Sequence, residues 1–181
     1  RYLNEHMLKG VTAVERFVPL ATVPLQSGKL AAQVLEEALN AGFHGAMFPW
    51  QSGSDGQEEI QASNLNPRSG RWVRDNSYLQ RHVGSAIAYN VWQYFQVTHD
   101  LEFLHFYGAE LILDIARFWS SIASLSAERG RYEILGVMGP DEFHDGYPDS
   151  STPGINNNAY TNIMAVWVLC RALEVLDLLS D

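Results

Sequence analysis

Residues 159–179 read AYTNIMAVWVLCRALEVLDLL, and this apolar stretch decides the fold class. Its large apolar side chains, such as Trp167 and Leu173, recur at a spacing that predicts one long helix over 159–179. Asn156 to Asn158 precede it and supply a start signal, since an asparagine side chain often accepts a hydrogen bond from the first free N–H groups of a helix.

Working upstream, three more segments show helical spacing. The periodicity predicts helices over 30–39, 77–97 and 101–122, with Asp100 as the N-cap of the last one. Residues 131–138 alternate more like a short strand. The sequence therefore predicts an all-α fold with long loops and at most a short β hairpin or strand.

Composition limits the function classes. The chain has 181 residues, a net charge of -9 and 46% hydrophobic residues, which suits a single globular domain over residues 1–181 and argues against nucleic acid or an anionic membrane as a partner. Cys170 is the only cysteine and lies in the apolar stretch, so we expect a buried, reduced side chain and a cytoplasmic location. Because the sequence starts at Arg1 and stops just after a helix, we expect a piece of a longer protein; residues 1–30 have no assignment.

An acidic loop precedes the long helix. Residues 139–145 read GPDEFHD and open an irregular segment that runs to Asn158, and loops of this length usually perform a function or are disordered. A calcium loop is excluded because Phe143 and Thr152 stand where ligands are needed. No histidine spacing indicates zinc, so we expect no metal. Glu142, between Asp141 and an aromatic ring, could be a general acid for glycoside cleavage, or the loop could be solvated charge.

A second long loop, residues 43–74, is rich in glycine and proline. It carries Trp50, which could contact a ligand or could cap the core. Glu58 and Glu59 follow on the same loop and could serve as a catalytic base or accept hydrogen bonds from sugar hydroxyls.

Three segments resemble the central catalytic domain of glycoside hydrolase family 65. They are GAMFPWQSGSDGQEE at 45–59, GVMGPDEFHDG at 136–146 and NNNAYTN at 156–162, and their order and spacing also match. The resemblance extends from about residue 42 to 179. The family includes maltose, trehalose and kojibiose phosphorylases and related hydrolases. It implies an (α/α)6 barrel, of which this chain has too few helices for more than a part.

The resemblance also implies a set of site residues. Glu142 matches the family's general acid, and the Phe-Pro-Trp segment matches a wall of the sugar site. The substrate-binding residues that it implies are Trp50, Gln51, Glu59, His82, Asp141, His144, Asn157, Asn158 and Tyr160. The family's upstream Trp-Asp motif, its downstream Lys-Gln-Ala-Asp motif and its phosphate loop have no match in this sequence, so the chain alone is expected to hold an incomplete site.

The resemblance implies an enzyme that cleaves an α-glucosidic disaccharide with inversion, by phosphorolysis. The alternatives are an inverting α-glucoside hydrolase of the trehalose or maltose type, or a helical sugar-binding fragment without catalysis. We expect no cofactor, with inorganic phosphate as co-substrate of a phosphorylase. The expected partners are the disaccharide and either the rest of the barrel or a second copy of the chain.

Overall fold

The computed structural model describes residues 45–54, 56–141 and 143–179, and within them it is mostly helical with two short hairpins. A 3₁₀ turn, Ser77–Leu79, precedes the first helix. The strands and helices, in chain order, are β1 (Ser63–Asn66), β2 (Arg71–Arg74), α1 (Val83–Thr98), α2 (Leu101–Phe103), α3 (Ala109–Ile122), β3 (Ser124–Ser126), β4 (Arg131–Glu133) and α4 (Ala159–Leu179).

The long helix forms where the sequence predicts it. Helix α4 spans Ala159–Leu179, and the Oδ1 atom of Asn158 accepts hydrogen bonds from the Thr161 N–H at 3.0 Å and from the Thr161 hydroxyl at 3.1 Å. The asparagine start signal is thereby confirmed.

Helix α1 begins six residues later than predicted, at Val83 instead of Ser77. The 3₁₀ turn takes up the first residues, and Gln80 then has an extended backbone, with φ -75 and ψ 103, which interrupts the helix. This interruption places Gln80 and His82 in a bend before the helix, and both side chains are buried.

Helices α2 and α3 form one continuous rod, as the sequence predicts for 101–122. Asp100 caps it, because its Oδ1 atom accepts a hydrogen bond from the Phe103 N–H at 2.8 Å. A π-helical turn, Leu104–Gly108, joins the two helices. A side chain on Gly108 would come within 3.0 Å of Val91 on α1, so the absence of a Cβ there lets the rod approach α1 closely.

Helix α3 is the centre of the core and packs against both α1 and α4. A hydrogen bond of 2.9 Å from the indole nitrogen of Trp119 on α3 to the hydroxyl of Ser85 on α1 satisfies two polar groups inside this interface. The largest fully buried apolar side chains are Trp119, Phe118, Leu104, Ile112, Ile115, Val168 and Val175.

The two hairpins use the same turn. In β1–β2 the Gly70 N–H donates to the Asn66 carbonyl at 2.9 Å, and in β3–β4 the Gly130 N–H donates to the Ser126 carbonyl at 2.8 Å. Both glycines have a positive φ, 66 and 60, which favours glycine. The sequence predicts at most a short β hairpin or strand, so the presence of two hairpins is a correction. The strands of β1–β2 are short and polar and give little alternating pattern.

The strand expected over 131–138 is shorter than predicted. Only Arg131–Glu133 is a strand, paired antiparallel with Ser124–Ser126. Further along, Val137 forms an isolated bridge with Ile155, which ties the two ends of the acidic loop together. The N–H of each of these residues donates to the other's carbonyl, at 3.0 and 2.8 Å.

Cys170 is exposed, contrary to the expectation that it is buried. It lies on a face of α4 that is apolar but solvent-exposed, together with Ile163 and Leu173, which are 67% and 65% exposed. Because both faces of this helix are apolar, the sequence pattern could not distinguish the buried face. The helix expected over 30–39 lies outside the described residues. No helix in the described part of the chain has the length and apolarity needed to cross a membrane.

Candidate functional site

A cleft of about 360 Å³ lies between the first hairpin, the loop that carries Trp50, and the acidic loop. Both long loops singled out from the sequence therefore border one cavity. Residues from all of these walls line it, among them Trp50, Asn64, Arg74, Gln80, Phe143 and Asp145.

The acidic loop is closed on itself by backbone hydrogen bonds. The Gly139 N–H donates to the His144 carbonyl at 2.9 Å, and the His144 N–H donates to the Asp141 carbonyl at 3.2 Å. Phe143 has φ 59, a left-handed conformation that is costly for a residue with a Cβ and is often found at functional sites. Glu142 itself lies outside the described residues, but its neighbour Phe143 lines the cleft.

Asp145 links the acidic loop to the segment before α1. Its Oδ2 atom accepts a hydrogen bond from the Asn76 side-chain amide at 2.6 Å, and its backbone carbonyl accepts one from the Gly154 N–H at 2.5 Å. The bond to Asn76 spans 69 positions in the sequence. The position of the loop relative to α1 is thus fixed by a long-range contact.

Three residues that the family resemblance implicates form a row of rings. The Trp50 and His82 ring centroids are 6.1 Å apart, and the His82 and Tyr160 rings meet edge to face at 5.3 Å. Trp50 is 45% exposed and lines the cleft, which supports a ligand contact over a core cap. His82 lies between the two other rings and is only 7% exposed.

Burial lowers the pKa of His82, since a charged imidazolium loses its hydration between two aromatic rings. Its Nδ1 atom is buried and has no hydrogen-bond partner among the described residues. At neutral pH, His82 is therefore an uncharged ring with one free nitrogen next to Trp50.

This lowered pKa predicts a pH dependence of stability. The folded state binds the proton of His82 more weakly than the unfolded state, so stability is full above the unfolded pKa of about 6.5 and falls as the pH drops below it, by at most about 1.4 kcal/mol per pH unit. Thermal unfolding midpoints of the full-length protein between about pH 7.5 and 5.5 should show this loss, and the loss should be smaller in His82→Gln. An equal slope in both proteins would contradict the assignment.

Glu58 holds the Trp50 loop in place. Its Oε2 atom accepts a hydrogen bond from the Trp50 N–H at 2.7 Å, and its Oε1 atom accepts from the N–H groups of Gln51 and Ile60 at 2.9 and 3.2 Å. Both carboxylate oxygens thus bind backbone. The next residue, Glu59, is exposed, and its backbone N–H donates to the Gln51 carbonyl at 2.8 Å.

Arg81 interacts electrostatically with Glu58. Burial lowers the pKa of its guanidinium, while the charge of Glu58 raises it and offsets part of that effect. The guanidinium also contacts the Met47 sulfur at 3.1 Å.

Asn157 and Asn158 form hydrogen bonds within the protein, and neither lines the cleft. Asn157 accepts a hydrogen bond from the Ile134 N–H at 3.2 Å and donates to the Glu133 carboxylate at 3.0 Å. Asn158 is the N-cap of α4. Their role as direct sugar contacts stays a prediction, and their observed role is to hold Tyr160 and the first turn of α4 in place.

Two further predicted residues, Asp141 and His144, are not among the residues that line the cleft. Asp141 and His144 are exposed, and the His144 imidazole packs against Gly139 with no room for a side chain there. Sequence reasoning missed Asn76 and Gln80, which line the cleft wall before α1. No local sequence signal indicates Gln80, because the helical spacing predicted over 77–97 runs through it without a break.

Comparisons with known proteins identify the family of the chain. The family model of the glycosyl hydrolase family 65 central catalytic domain matches residues 29–181. An uncharacterised glycosyl hydrolase of Mycobacterium tuberculosis is 61% identical over 142 residues, which are 78% of this chain and 11% of that protein. Trehalose 6-phosphate phosphorylase of Lactococcus lactis is 49% identical over 142 residues, 78% of this chain and 18% of the relative.

Kojibiose phosphorylase of Caldanaerobacter subterraneus is 40% identical over 147 residues, 80% of this chain and 18% of the relative. A solved structure from the human microbiome, provisionally described as a kojibiose phosphorylase, superimposes with a TM-score of 0.58 at 22% identity, over 85% of this chain and 20% of that one. The chain thus spans less than a fifth of the length of the first two relatives named with an activity. The resemblance inferred from three motifs is confirmed: the chain belongs to glycosyl hydrolase family 65, within its central catalytic domain.

Proposed function

We propose that the full-length protein is an inverting phosphorylase that cleaves an α-glucosidic disaccharide with inorganic phosphate. The observation that carries the proposal is the single cleft on which the Trp50 loop and the acidic loop converge, in a domain whose named relatives include phosphorylases of kojibiose and of trehalose 6-phosphate. Activity, substrate and partners are proposed for the whole protein, of which this chain supplies one part.

Glu142 is the proposed general acid. Its carboxyl proton goes to the glycosidic oxygen as the bond between this oxygen and the anomeric carbon breaks. A phosphate oxygen attacks the anomeric carbon from the opposite face, so an α-glucoside gives β-glucose 1-phosphate and the released sugar carries the proton. The neighbouring Phe143 lines the cleft next to the proposed acid.

The carboxylates that line the cleft favour phosphate over water as the nucleophile. An inverting hydrolase needs a free carboxylate to deprotonate the attacking water. Asp75 accepts hydrogen bonds from the Ser77 N–H at 2.8 Å and from the Asn64 amide, and Asp145 accepts from Asn76. Glu58, on the neighbouring loop, binds three backbone N–H groups. Among the described residues, these three carboxylates are engaged in holding structure, which supports phosphate as the nucleophile, and the exposed Glu59 is proposed as a sugar contact.

The first proposed sugar contacts lie in the row of rings formed by Trp50, His82 and Tyr160. Trp50 offers its half-exposed face to a sugar ring, and Gln51 follows it on the same loop. Tyr160, 39% exposed, lies at the other end of the row. The further proposed contacts are Glu59, Asp141, His144, Asn157 and Asn158.

We further propose that residues 1–181 form part of one (α/α)6 barrel, completed by other segments of the protein or by a second copy. The proposal is supported by the helical fold and by the likeness to a solved relative. The expected location is the cytoplasm, where inorganic phosphate is at hand, and the proposal requires no cofactor.

A phosphate titration tests the function. We expect the full-length protein to release glucose 1-phosphate from one of kojibiose, trehalose, trehalose 6-phosphate or maltose, with a rate that saturates with phosphate and falls to background without it. The β anomer is expected as the first product, and proton NMR of the fresh reaction distinguishes it from the α anomer. An α product would exclude inversion.

A phosphate-independent release of free glucose would instead identify a hydrolase. This alternative is favoured by the relative from Mycobacterium tuberculosis, which is named a glycosyl hydrolase. Sugar binding without any cleavage would indicate a domain that binds sugar but lacks catalysis.

A further inference from the structure

Gln80 has a buried acceptor with no partner. Its side chain is 4% exposed and lines the cleft, and its Oε1 atom makes no hydrogen bond to any of the described residues. Buried polar atoms are nearly always paired in folded proteins, because an unpaired one loses its hydration without compensation. An unpaired acceptor in the wall of a cleft therefore indicates that a ligand atom donates a hydrogen bond to it.

Asn76 presents a second free acceptor in the same wall. Its side-chain nitrogen donates to Asp145 at 2.6 Å, which fixes the amide so that Oδ1 is the remaining group. This Oδ1 atom is buried and unpaired among the described residues. Asn76 and Gln80 flank the 3₁₀ turn Ser77–Leu79, so one short segment holds both acceptors.

The groups in this wall of the cleft favour a ligand group that donates hydrogen bonds. An amide oxygen accepts hydrogen bonds, and the carboxylates of Asp75 and Asp145 add negative charge to the same lining. Arg74 is the only cation among the described residues that line the cleft. Hydroxyl groups, which donate, match this wall, whereas a phosphate dianion would meet acceptors and like charge.

We propose that Gln80 binds a hydroxyl group of the sugar substrate through Oε1, with Asn76 as its neighbour in the same wall, and that the phosphate nucleophile binds elsewhere. The inference rests on the proposed function and assigns this wall of the cleft to the sugar. It adds a substrate-binding residue that neither the motif resemblance nor the periodicity indicated.

The test is Gln80→Met in the full-length protein, because methionine keeps the length of the side chain and removes the acceptor. We expect KM for the disaccharide to rise about tenfold or more, since a hydroxyl loses its partner, with KM for phosphate changed less than about twofold. The matched control is Gln96→Met on the exposed side of α1, which should leave both constants unchanged. Gln80→Glu keeps acceptor oxygens, so its KM for the disaccharide should lie between those of the wild type and Gln80→Met.

Three kinetic outcomes would contradict the inference. Unchanged KM for the disaccharide would overturn it, and so would equal increases of both KM values or a lower unfolding midpoint with unchanged kinetics, since these indicate a packing role. If the wild type cleaves no disaccharide, the proposed function fails, and calorimetry with the disaccharide alone then decides. Binding that is lost in Gln80→Met supports the hydroxyl contact, and absence of binding by the wild type overturns it.

Discussion

Glu142→Gln in the full-length protein is expected to lower turnover of an unactivated disaccharide about 1,000-fold. A glutamine amide keeps the size of the side chain but has no proton to give to the leaving oxygen. Sugar binding depends on other groups, so KM or the dissociation constant of the disaccharide should change little. Steady-state kinetics with excess phosphate measures the effect.

An activated substrate separates acid catalysis from misfolding. Glucosyl fluoride with the matching anomeric configuration needs little protonation of its leaving group, so the same variant should keep much of its activity on it. Asp149→Asn is the matched control, because this carboxylate lies in the same loop and is exposed. Full turnover of the disaccharide by Glu142→Gln, or an equal loss in Asp149→Asn, would refute the assignment.

Gly45→Ala is expected to cause the largest loss of stability. Gly45 has φ 86, and a Cβ on it would overlap the Asp114 carbonyl oxygen and lie 2.5 Å from the backbone nitrogen of Phe118. Backbone strain and the clash with helix α3 together cost about 3 kcal/mol or more. The unfolding midpoint of the full-length protein in urea should fall accordingly.

Gly70→Ala provides the matched control for this prediction. Gly70 also has a positive φ, 66, but a Cβ there would meet no described atom within 4 Å. It should therefore show only the strain of the left-handed backbone, about 1 kcal/mol. Equal destabilisation by the two substitutions would show that the contact with α3 contributes nothing.

The Gly45→Ala substitution should also weaken substrate binding at the site. The Ala46 N–H donates to the Asp114 carbonyl on α3 at 2.9 Å, and Trp50 follows four residues later in the chain. Displacing residues 46–50 displaces the first ring of the row of rings. The variant should therefore raise KM for the disaccharide at temperatures at which it is still folded.

The helices could be predicted from the sequence because their information is local. Apolar spacing and the Asn158 cap predict the limits of α4, and Asp100 predicts the start of the rod formed by α2 and α3. The start of α1 was predicted too early, because the extended backbone at Gln80 follows from the site and not from a helix-breaking residue. The exposure of Cys170 also depends on which elements pack on α4, and that information is not local.

Only the part of the site that lies in the family motifs could be predicted from the sequence. The acidic loop and Trp50 were identified, but the bond from Asn76 to Asp145 joins residues 69 positions apart and has no trace in local sequence. The role of Glu58 was also open between a base and a sugar contact. Its three backbone hydrogen bonds are visible only once the loop is folded.

The two hairpins share one type of turn but differ in their position relative to the cleft, so they suit different kinds of engineering. Residues 67–70 and 127–130 are exposed tips, and such tips commonly accept inserted residues at little cost in stability. An insertion after Glu128 would extend a hairpin that does not line the cleft, and suits an affinity tag or a label. An insertion after Arg68 would extend the hairpin whose Asn64, Asn66 and Val73 wall the cleft, and so offers a way to change the size of sugar that enters.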